Sequence, residues 1–304
     1  MFLKKYISVF LAFSFVLLIN FIGRSFIAAD NLTGDLYFYI YGGFDQYNLY
    51  GFNKNYLYDF LKLSDLGNDK LLLLSLFQSF LFSLAVFATF FNTEQFEKAK
   101  ESNFIFNLVV FSIIASSAVF FMQLDMHLVR QQTAIYFFIL GILQKNIFFK
   151  FIFLSAAIFF HEITLPLIFG YFFYKYFFNK SIIIFCIMMF PLLIISFLNS
   201  FYQILFIHIL GFVMFVLAKN DQIILRAILL TSVSIGMLIS LMLVVGILPT
   251  TTGERGLMAT FVVSFFSFLY FSASALKTDF KIGRIYDSLK ILTLLFYGIF
   301  YFAY

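Results

Sequence analysis

The sequence predicts an all-α, polytopic integral membrane protein with about 11 (roughly 9 to 12) membrane-spanning segments, folded as one membrane domain over residues 1–304. Two observations predict this class. The chain is 63% hydrophobic and 12% charged, whereas soluble domains are about half apolar and a quarter charged. Apolar stretches that approach the length of a bilayer crossing also recur along the chain. An ordinary soluble enzyme is excluded, because a soluble core cannot hide this much apolar surface.

Eleven apolar stretches supply the predicted helices, since a spanning helix needs about 20 mostly apolar residues. The first follows Lys4 and Lys5, is too long for a signal-peptide core and lacks a clear cleavage site, so we predict a retained helix with a cytoplasmic N-terminus. The fourth is short and is expected to recruit residues 128–131. The stretches are Tyr6–Ala28, Leu71–Phe91, Phe104–Met122, Gln132–Leu143, Phe151–Leu165, Leu167–Phe178, Ser181–Leu198, Gln203–Ala218, Ile223–Ile247, Leu257–Leu276 and Leu289–Phe302.

The stretch from Phe151 to Phe178 forms either one long helix or two arms broken near Pro166, because proline removes a backbone donor and disfavours helix at the preceding residue. The positive-inside rule separates the two arrangements. With the break, 14 of the 20 Lys and Arg face the cytoplasm, and without it only 7 do. We therefore predict the break, with the C-terminus outside. A re-entrant arrangement around His161–Pro166 stays open.

One long outer loop follows the first helix, at residues 29–70. It holds six Asp and seven Tyr, and Asp35 and Tyr39 lie in its most aromatic segment, Gly34–Tyr41. Carboxylates accept hydrogen bonds from hydroxyls, and aromatic faces pack against apolar ring faces. One interpretation is therefore a sugar-positioning loop. The other, which the composition favours equally, is an interfacial segment with Tyr at headgroup level.

Familiar chemical motifs are absent from the sequence, which has no glycine-rich phosphate loop, no GxSxG and no Cys/His cluster with metal spacing. The single cysteine, Cys186, cannot form an internal disulfide, and no basic run with interleaved aromatics indicates nucleic acid. We therefore expect no metal, no cofactor and no nucleic-acid partner. Any chemistry must come from scattered polar residues brought together at one membrane face.

Three short outer segments carry polar residues that need explaining, because charge in or near a bilayer is costly and is a functional candidate by default. The first segment, residues 123–131, contains Arg130 at the start of the next helix. Its planar guanidinium suits a phosphate, and the backbone donors of a helix start can bind the same anion. The alternative is that Arg130 pairs with Asp125 or with lipid phosphate.

The second segment, residues 160–166, holds His161 about 17 Å along the helix axis from Lys150, in the outer half of the membrane. A neutral histidine can act there as a base or as a hydrogen-bond donor. Glu162 is adjacent, but successive helical residues diverge by about 100°. The two therefore share a site only if the helix loosens ahead of Pro166. The alternative is a buried histidine bonded to a neighbouring helix.

The third segment, residues 248–256, holds Arg255, which either reaches the same cavity or forms a surface pair with Glu254. His208 is a weaker candidate, and Arg24 is counted among the basic residues at the outer membrane edge. No charge is predicted at mid-bilayer, where a proton relay or ion path needs one. The pattern indicates outer-face chemistry or binding rather than ion transport.

Two segments of this sequence resemble the EpsG-like branch of Wzy-type polysaccharide polymerases, and the similarity extends over 6–178. One is the acidic-aromatic start after the first helix, Gly34-Asp35-x-x-Phe38-Tyr39-x-Tyr41. The other is the run Arg130-Gln131-Gln132-Thr133-Ala134, then an apolar helix, Lys145 to Lys150, a second apolar helix and His161 before Pro166. The chain departs from the family at Glu162, where a small polar residue is usual.

The resemblance implies a metal-independent glycosyltransferase of the bacterial inner membrane, with its active site facing the periplasm or exterior. Such an enzyme polymerises oligosaccharide repeat units carried on undecaprenyl diphosphate, for O-antigen, capsule or exopolysaccharide. Its partners are the lipid-linked donor and acceptor and membrane lipid, and a chain-length regulator protein is left open. Together with the charge and proton chemistry of such a transfer, we predict Arg130, His161 and Asp35 as catalytic residues, Asp35 by positioning the sugars, and Tyr39, Gln131, Glu162 and Arg255 as substrate-binding residues.

Three alternatives stay open alongside this interpretation. A glycosyltransferase that uses single sugars on polyprenyl phosphate also places an acid in its first outer loop. An O-antigen ligase uses the same donor with a different acceptor. A flippase or other transporter performs no bond chemistry, but transporters often have internal repeats and midplane sites, and the sequence has neither.

Overall fold

A computed structural model describes residues 2–30, 69–92, 101–116, 128–178, 181–198, 202–218 and 222–276. These residues form helices and short connections with no strand, which confirms the all-α prediction for the described part of the chain. The helices are α1 (Phe2–Asp30), α2 (Lys70–Phe91), α3 (Glu101–Ser116), α4 (Val129–Leu143), α5 (Ile147–Phe160), α6 (Thr164–Phe173, continued by a π-helical turn at Tyr174–Phe178), α7 (Ile182–Leu198), α8 (Tyr202–Leu217), α9 (Ile223–Val244) and α10 (Thr250–Leu276).

Four helices among the described residues are long and apolar enough to cross a membrane: Lys5–Phe26, Lys70–Phe91, Ile223–Val244 and Gly256–Ala273. Large apolar side chains on several helices point outwards, and Phe10 of α1 is 69% exposed. Soluble proteins rarely present such extended apolar faces, which suit a lipid environment. The last predicted stretch, 289–302, lies outside the described residues.

The chain forms two compact units, and α1 to α5 lie in the first, which runs to Glu162. Helix α2 packs between α1 and α4. The Phe13 ring of α1 meets Phe87 of α2 edge-to-face at 5.5 Å, and Phe82 of α2 meets Tyr136 of α4 at 5.7 Å. Since Gln78 contacts the start of α4 and Phe82 contacts Tyr136 further on, α2 and α4 run parallel. Both helices therefore begin at the same end of this unit.

Helices α4 and α5 form an antiparallel hairpin whose turn is capped by Asn146, because its Oδ1 accepts from the Phe148 N–H at 2.9 Å. The helices approach closely at Gly141. A Cβ on this glycine would lie 2.6 Å from Cδ2 of Leu154. Towards the other end of the hairpin, Phe137 stacks on Phe160 with ring centroids 5.3 Å apart. The glycine and the stacked rings fix the register of the hairpin.

The backbone breaks between α5 and α6, so the stretch from Phe151 to Phe178 is two helices rather than one. His161 ends α5 in an extended conformation, with φ −161° and ψ 133°, and its N–H still donates to Ala157 O. Pro166 lies in the first turn of α6, where its missing N–H has no intrahelical partner to lose. The break thus precedes the proline by a short turn.

The second unit, from Ile163 to Tyr297, is described over α6 to α10 and centres on α9. Small hydroxyl side chains join its helices. Ser232 Oγ of α9 donates to Thr260 O of α10 at 3.0 Å and lies 2.9 Å from Ser264 Oγ. His208 of α8 is buried against Gly236, whose missing side chain leaves room for the imidazole.

The segment 248–256 differs from the expected outer loop, because α10 begins at Thr250 and includes all but the first two of these residues. The Pro249 carbonyl accepts from the Gly253 N–H at 3.0 Å and starts the helix. Polar residues are common in the first turn of a helix, so polarity by itself does not distinguish a loop from a helix end. Similarly, α4 begins at Val129, within the short extension expected there.

Candidate functional site

Arg130 is the second residue of α4 and is half-buried. The Gln132 N–H donates to Leu128 O, so Arg130 and Gln131 lie in the first turn of the helix, just before this bond. Gln131 follows and is buried, with 3% of its surface exposed. The proposed alternative partner, Asp125, lies outside the described residues. Arg130 therefore combines a fixed positive charge with the positive end of a helix dipole.

His161 and Glu162 lie together in the turn between α5 and α6. His161 Nδ1 is 3.7 Å from Glu162 Oε2, and the two side chains are 20% and 56% exposed. This distance is too long for a hydrogen bond but short enough for attraction between a carboxylate and an imidazolium. A continuous helix would direct the two side chains about 100° apart, so their meeting depends on the break.

Arg130 and His161 lie at the same end of the α4–α5 hairpin. Measured from the contact between Gly141 and Leu154, Arg130 lies about 17 Å along α4 and His161 about 11 Å along α5, at 1.5 Å per residue. The two backbones are therefore separated along the hairpin axis by roughly one helical turn. Arg130, Phe137 and Gly141 recur at helical spacing, which directs the Arg130 side of α4 towards α5.

Gln78 of α2 supports the start of α4 from the other side. Its Nε2 donates to Val129 O at 2.9 Å and to Thr133 Oγ1 at 2.5 Å. Both Gln78 and Thr133 are fully buried. Gln78 is not among the residues predicted from the sequence, although polar residues cluster on one side of the otherwise apolar α2, at Ser75, Gln78, Ser79 and Ser83.

Arg24, which the sequence places among the basic residues at the outer membrane edge, is fully buried in α1. Its Nη1 donates to Asn20 Oδ1 at 3.2 Å and to Ser79 Oγ at 3.0 Å. The guanidinium also lies 5.2 Å from the centre of the Phe82 ring. Asn20 and Arg24, four residues apart on one helical face, were the overlooked signal.

The remaining three predicted site residues are wholly or partly outside the residues that the structure describes. Asp35 and Tyr39 lie in a part of the chain that is not described, and so does the side chain of Arg255, although its backbone belongs to α10. Within the described ranges, no three His, Cys, Asp or Glu residues form a metal-binding group. The described candidate site thus consists of Arg130, Gln131, His161 and Glu162 in the first unit.

The described residues define a helical protein with four candidate site residues at one end of a helical hairpin in the first unit. Comparisons with protein-family models, with curated proteins and with solved structures give no match to this chain.

Proposed function

We propose that this protein polymerises oligosaccharide repeat units carried on undecaprenyl diphosphate, at the outer face of the bacterial inner membrane. Three features support the proposal. They are the apolar helices, the resemblance in the run from Arg130 to Pro166, and the location of a cation and a histidine–carboxylate pair at the same end of an apolar hairpin. The third carries most weight, because glycosyl transfer from a diphosphate needs both kinds of group.

In the proposed reaction, Arg130 acts on the leaving diphosphate and His161 acts on the attacking hydroxyl. The acceptor hydroxyl oxygen attacks the anomeric carbon of the donor sugar, and the bond from that carbon to the diphosphate oxygen breaks. The electron pair of that bond moves to the leaving diphosphate, where Arg130 and the start of α4 stabilise the charge. His161 takes the hydroxyl proton as general base.

Glu162, which stands where the resembling family usually has a small polar residue, has a role of its own in this scheme. Its carboxylate lies 3.7 Å from His161 Nδ1. When His161 accepts a proton, the Glu162 carboxylate attracts the imidazolium that forms. Gln131, Asp35, Tyr39 and Arg255 are proposed to bind the sugars and the diphosphate.

An apolar groove between α1 and α3 supports a lipid-linked substrate. Its volume is about 390 Å³, and Leu11, Phe15 and Val109 are among the residues that line it. Ser112 also lines the groove, but its hydroxyl donates to Leu108 O and so adds little polarity. We propose that the polyprenyl chain lies along such apolar helix faces.

The proposal is tested in a deletion strain that carries Arg130→Ala or His161→Ala at wild-type protein levels. Each variant is expected to lower polymer formation by about a hundredfold or more, the usual effect of removing a general base or a charge-stabilising group. Lys150→Ala, at the opposite end of the same hairpin, is the matched control and keeps full polymer. Full-length polymer in both Arg130→Ala and His161→Ala would refute the site assignment.

The same strain separates polymerisation from its alternatives. The deletion is expected to leave single lipid-linked repeat units on the outer leaflet. Accumulation on the inner leaflet would indicate a flippase instead. Accumulation of finished polymer on the lipid carrier would indicate a ligase. Accumulation of lipid-linked repeat units that lack one of their sugars would indicate a transferase of monosaccharides.

A further inference from the structure

The contact between α2 and α4 contains polar groups that the proposed reaction does not use. We call the residues Ser75, Gln78, Gln132 and Thr133 the α2–α4 seam. All four are fully buried. They lie at the end of the first unit where α2 and α4 both begin, which is also the end where Arg130 lies.

Two of the six side-chain polar atoms of the seam, Gln78 Nε2 and Thr133 Oγ1, are hydrogen-bonded within the protein. Gln78 Nε2 donates to Val129 O and Thr133 Oγ1, and Thr133 Oγ1 in turn donates to Val129 O at 2.7 Å. These bonds hold the Gln78 amide and fix which way its Oε1 faces. They tie the first turn of α4 to α2.

The other four side-chain polar atoms have no hydrogen-bond partner among the residues that the structure describes. Both Gln132 amide atoms, Nε2 and Oε1, are in this state, and so are Gln78 Oε1 and Ser75 Oγ. Buried polar atoms are nearly always bonded in native proteins. Leaving several together in one contact destabilises the fold, and an apolar side chain of similar size at Gln132 would pack without that cost.

The position of Gln132 directs its amide towards α2. It lies one turn after Val129 and one turn before Tyr136. Both neighbours contact α2, Val129 through Gln78 and Tyr136 through Phe82. Ser75 lies one turn before Gln78, nearer the beginning of α2. The unpartnered atoms therefore line one face of the contact, near the end where α2 and α4 begin.

We infer that the α2–α4 seam is a binding site for a neutral, hydroxyl-rich ligand, the terminal sugar of an acceptor chain. The unpartnered atoms comprise an amide donor, two amide acceptors and a hydroxyl, which is the set that hydroxyl groups satisfy. None of these atoms carries a charge, so a charged ligand would leave its charge uncompensated there. The identity of the ligand as a sugar rests on the proposed function, whereas the presence of the site does not.

Binding requires that the seam open towards the end where α2 and α4 begin, and cysteine reactivity measures this opening. In a Cys186→Ser background, which removes the only cysteine, Ser75→Cys is treated with a small membrane-impermeant methanethiosulfonate from outside. Thr89→Cys is the control, since Thr89 is equally buried in α2 but its hydroxyl donates to Ala85 O. Ser75→Cys is expected to react many-fold faster. Equal, slow reaction of both variants would overturn the inference.

A second measurement compares stability with activity. Gln132→Leu is expected to raise the unfolding temperature of the purified protein and to shorten the polymer made in cells. Gln78→Leu breaks satisfied bonds and is expected to lower the unfolding temperature. A lower unfolding temperature or full-length polymer in Gln132→Leu would refute the site. If the wild-type protein makes no polymer, the proposed function fails, while cysteine reactivity still decides whether the site exists.

Discussion

Gln78 supports the start of α4, and with it the position of Arg130, through one side-chain amide. Gln78→Leu removes the donor to Val129 O and Thr133 Oγ1. We expect a loss of about 1 kcal/mol of stability, the usual scale of a hydrogen bond between helices in a membrane. Thermal unfolding of the purified protein measures this. Gln144→Leu, at the other end of α4, is the control and is expected to change stability little.

Contacts between individual side chains were the features that the sequence predicted least well. Hydropathy averaged over a stretch records that α1 and α2 are apolar, but it does not record that Arg24 and Ser79 meet. Whether a guanidinium inside a helix reaches water or a neighbouring hydroxyl depends on which helices pack together. By contrast, the meeting of His161 and Glu162 depended on a local break, and the adjacent Pro166 indicated one.

Among the helices, the α4–α5 hairpin determines whether the site can assemble, and Gly141 is its closest approach. In Gly141→Ala the new Cβ would lie 2.6 Å from Leu154 Cδ2. The helices must therefore shift, and we expect polymer formation to fall although no reacting group has changed. Gly211→Ala is the control, because its Cβ would make an ordinary 3.4 Å contact with Leu229.

The Gly141 experiment has an internal check. Combining Gly141→Ala with Leu154→Ala removes the clashing methyl group and is expected to restore part of the lost activity. The Leu154 N atom, 3.2 Å from the same Cβ position, stays in place, so complete recovery is not expected. Equal activity in Gly141→Ala and Gly211→Ala would show that the hairpin spacing does not matter for polymerisation.

The sequence largely predicted which stretches form helices, because a long apolar run in lipid has few alternatives to a helix. The residues at which helices begin and end were harder to predict. Thr250 to Gly256 are mostly polar, yet they form the first turns of α10, which the bond from the Gly253 N–H to Pro249 O begins. The sequence pattern cannot distinguish a polar helix start from a loop of the same composition.

For the molecule as a whole, the proposed function requires opposite ends of the α4–α5 hairpin to face opposite sides of the membrane. In the Cys186→Ser background, we expect Glu162→Cys to react with an impermeant thiol reagent added to intact cells. Lys145→Cys, exposed at the hairpin turn, should react only after the membrane is opened. The reverse pattern would place the proposed active site in the cytoplasm and would contradict the assigned orientation.

The most direct test of the central claim uses the purified protein in lipid with an undecaprenyl-diphosphate-linked oligosaccharide repeat unit. We expect a ladder of lipid-linked products that grow by whole repeat units, and we expect Arg130→Ala and His161→Ala each to abolish the ladder. Unchanged starting material with the wild-type protein, or growth by single sugars, would contradict it.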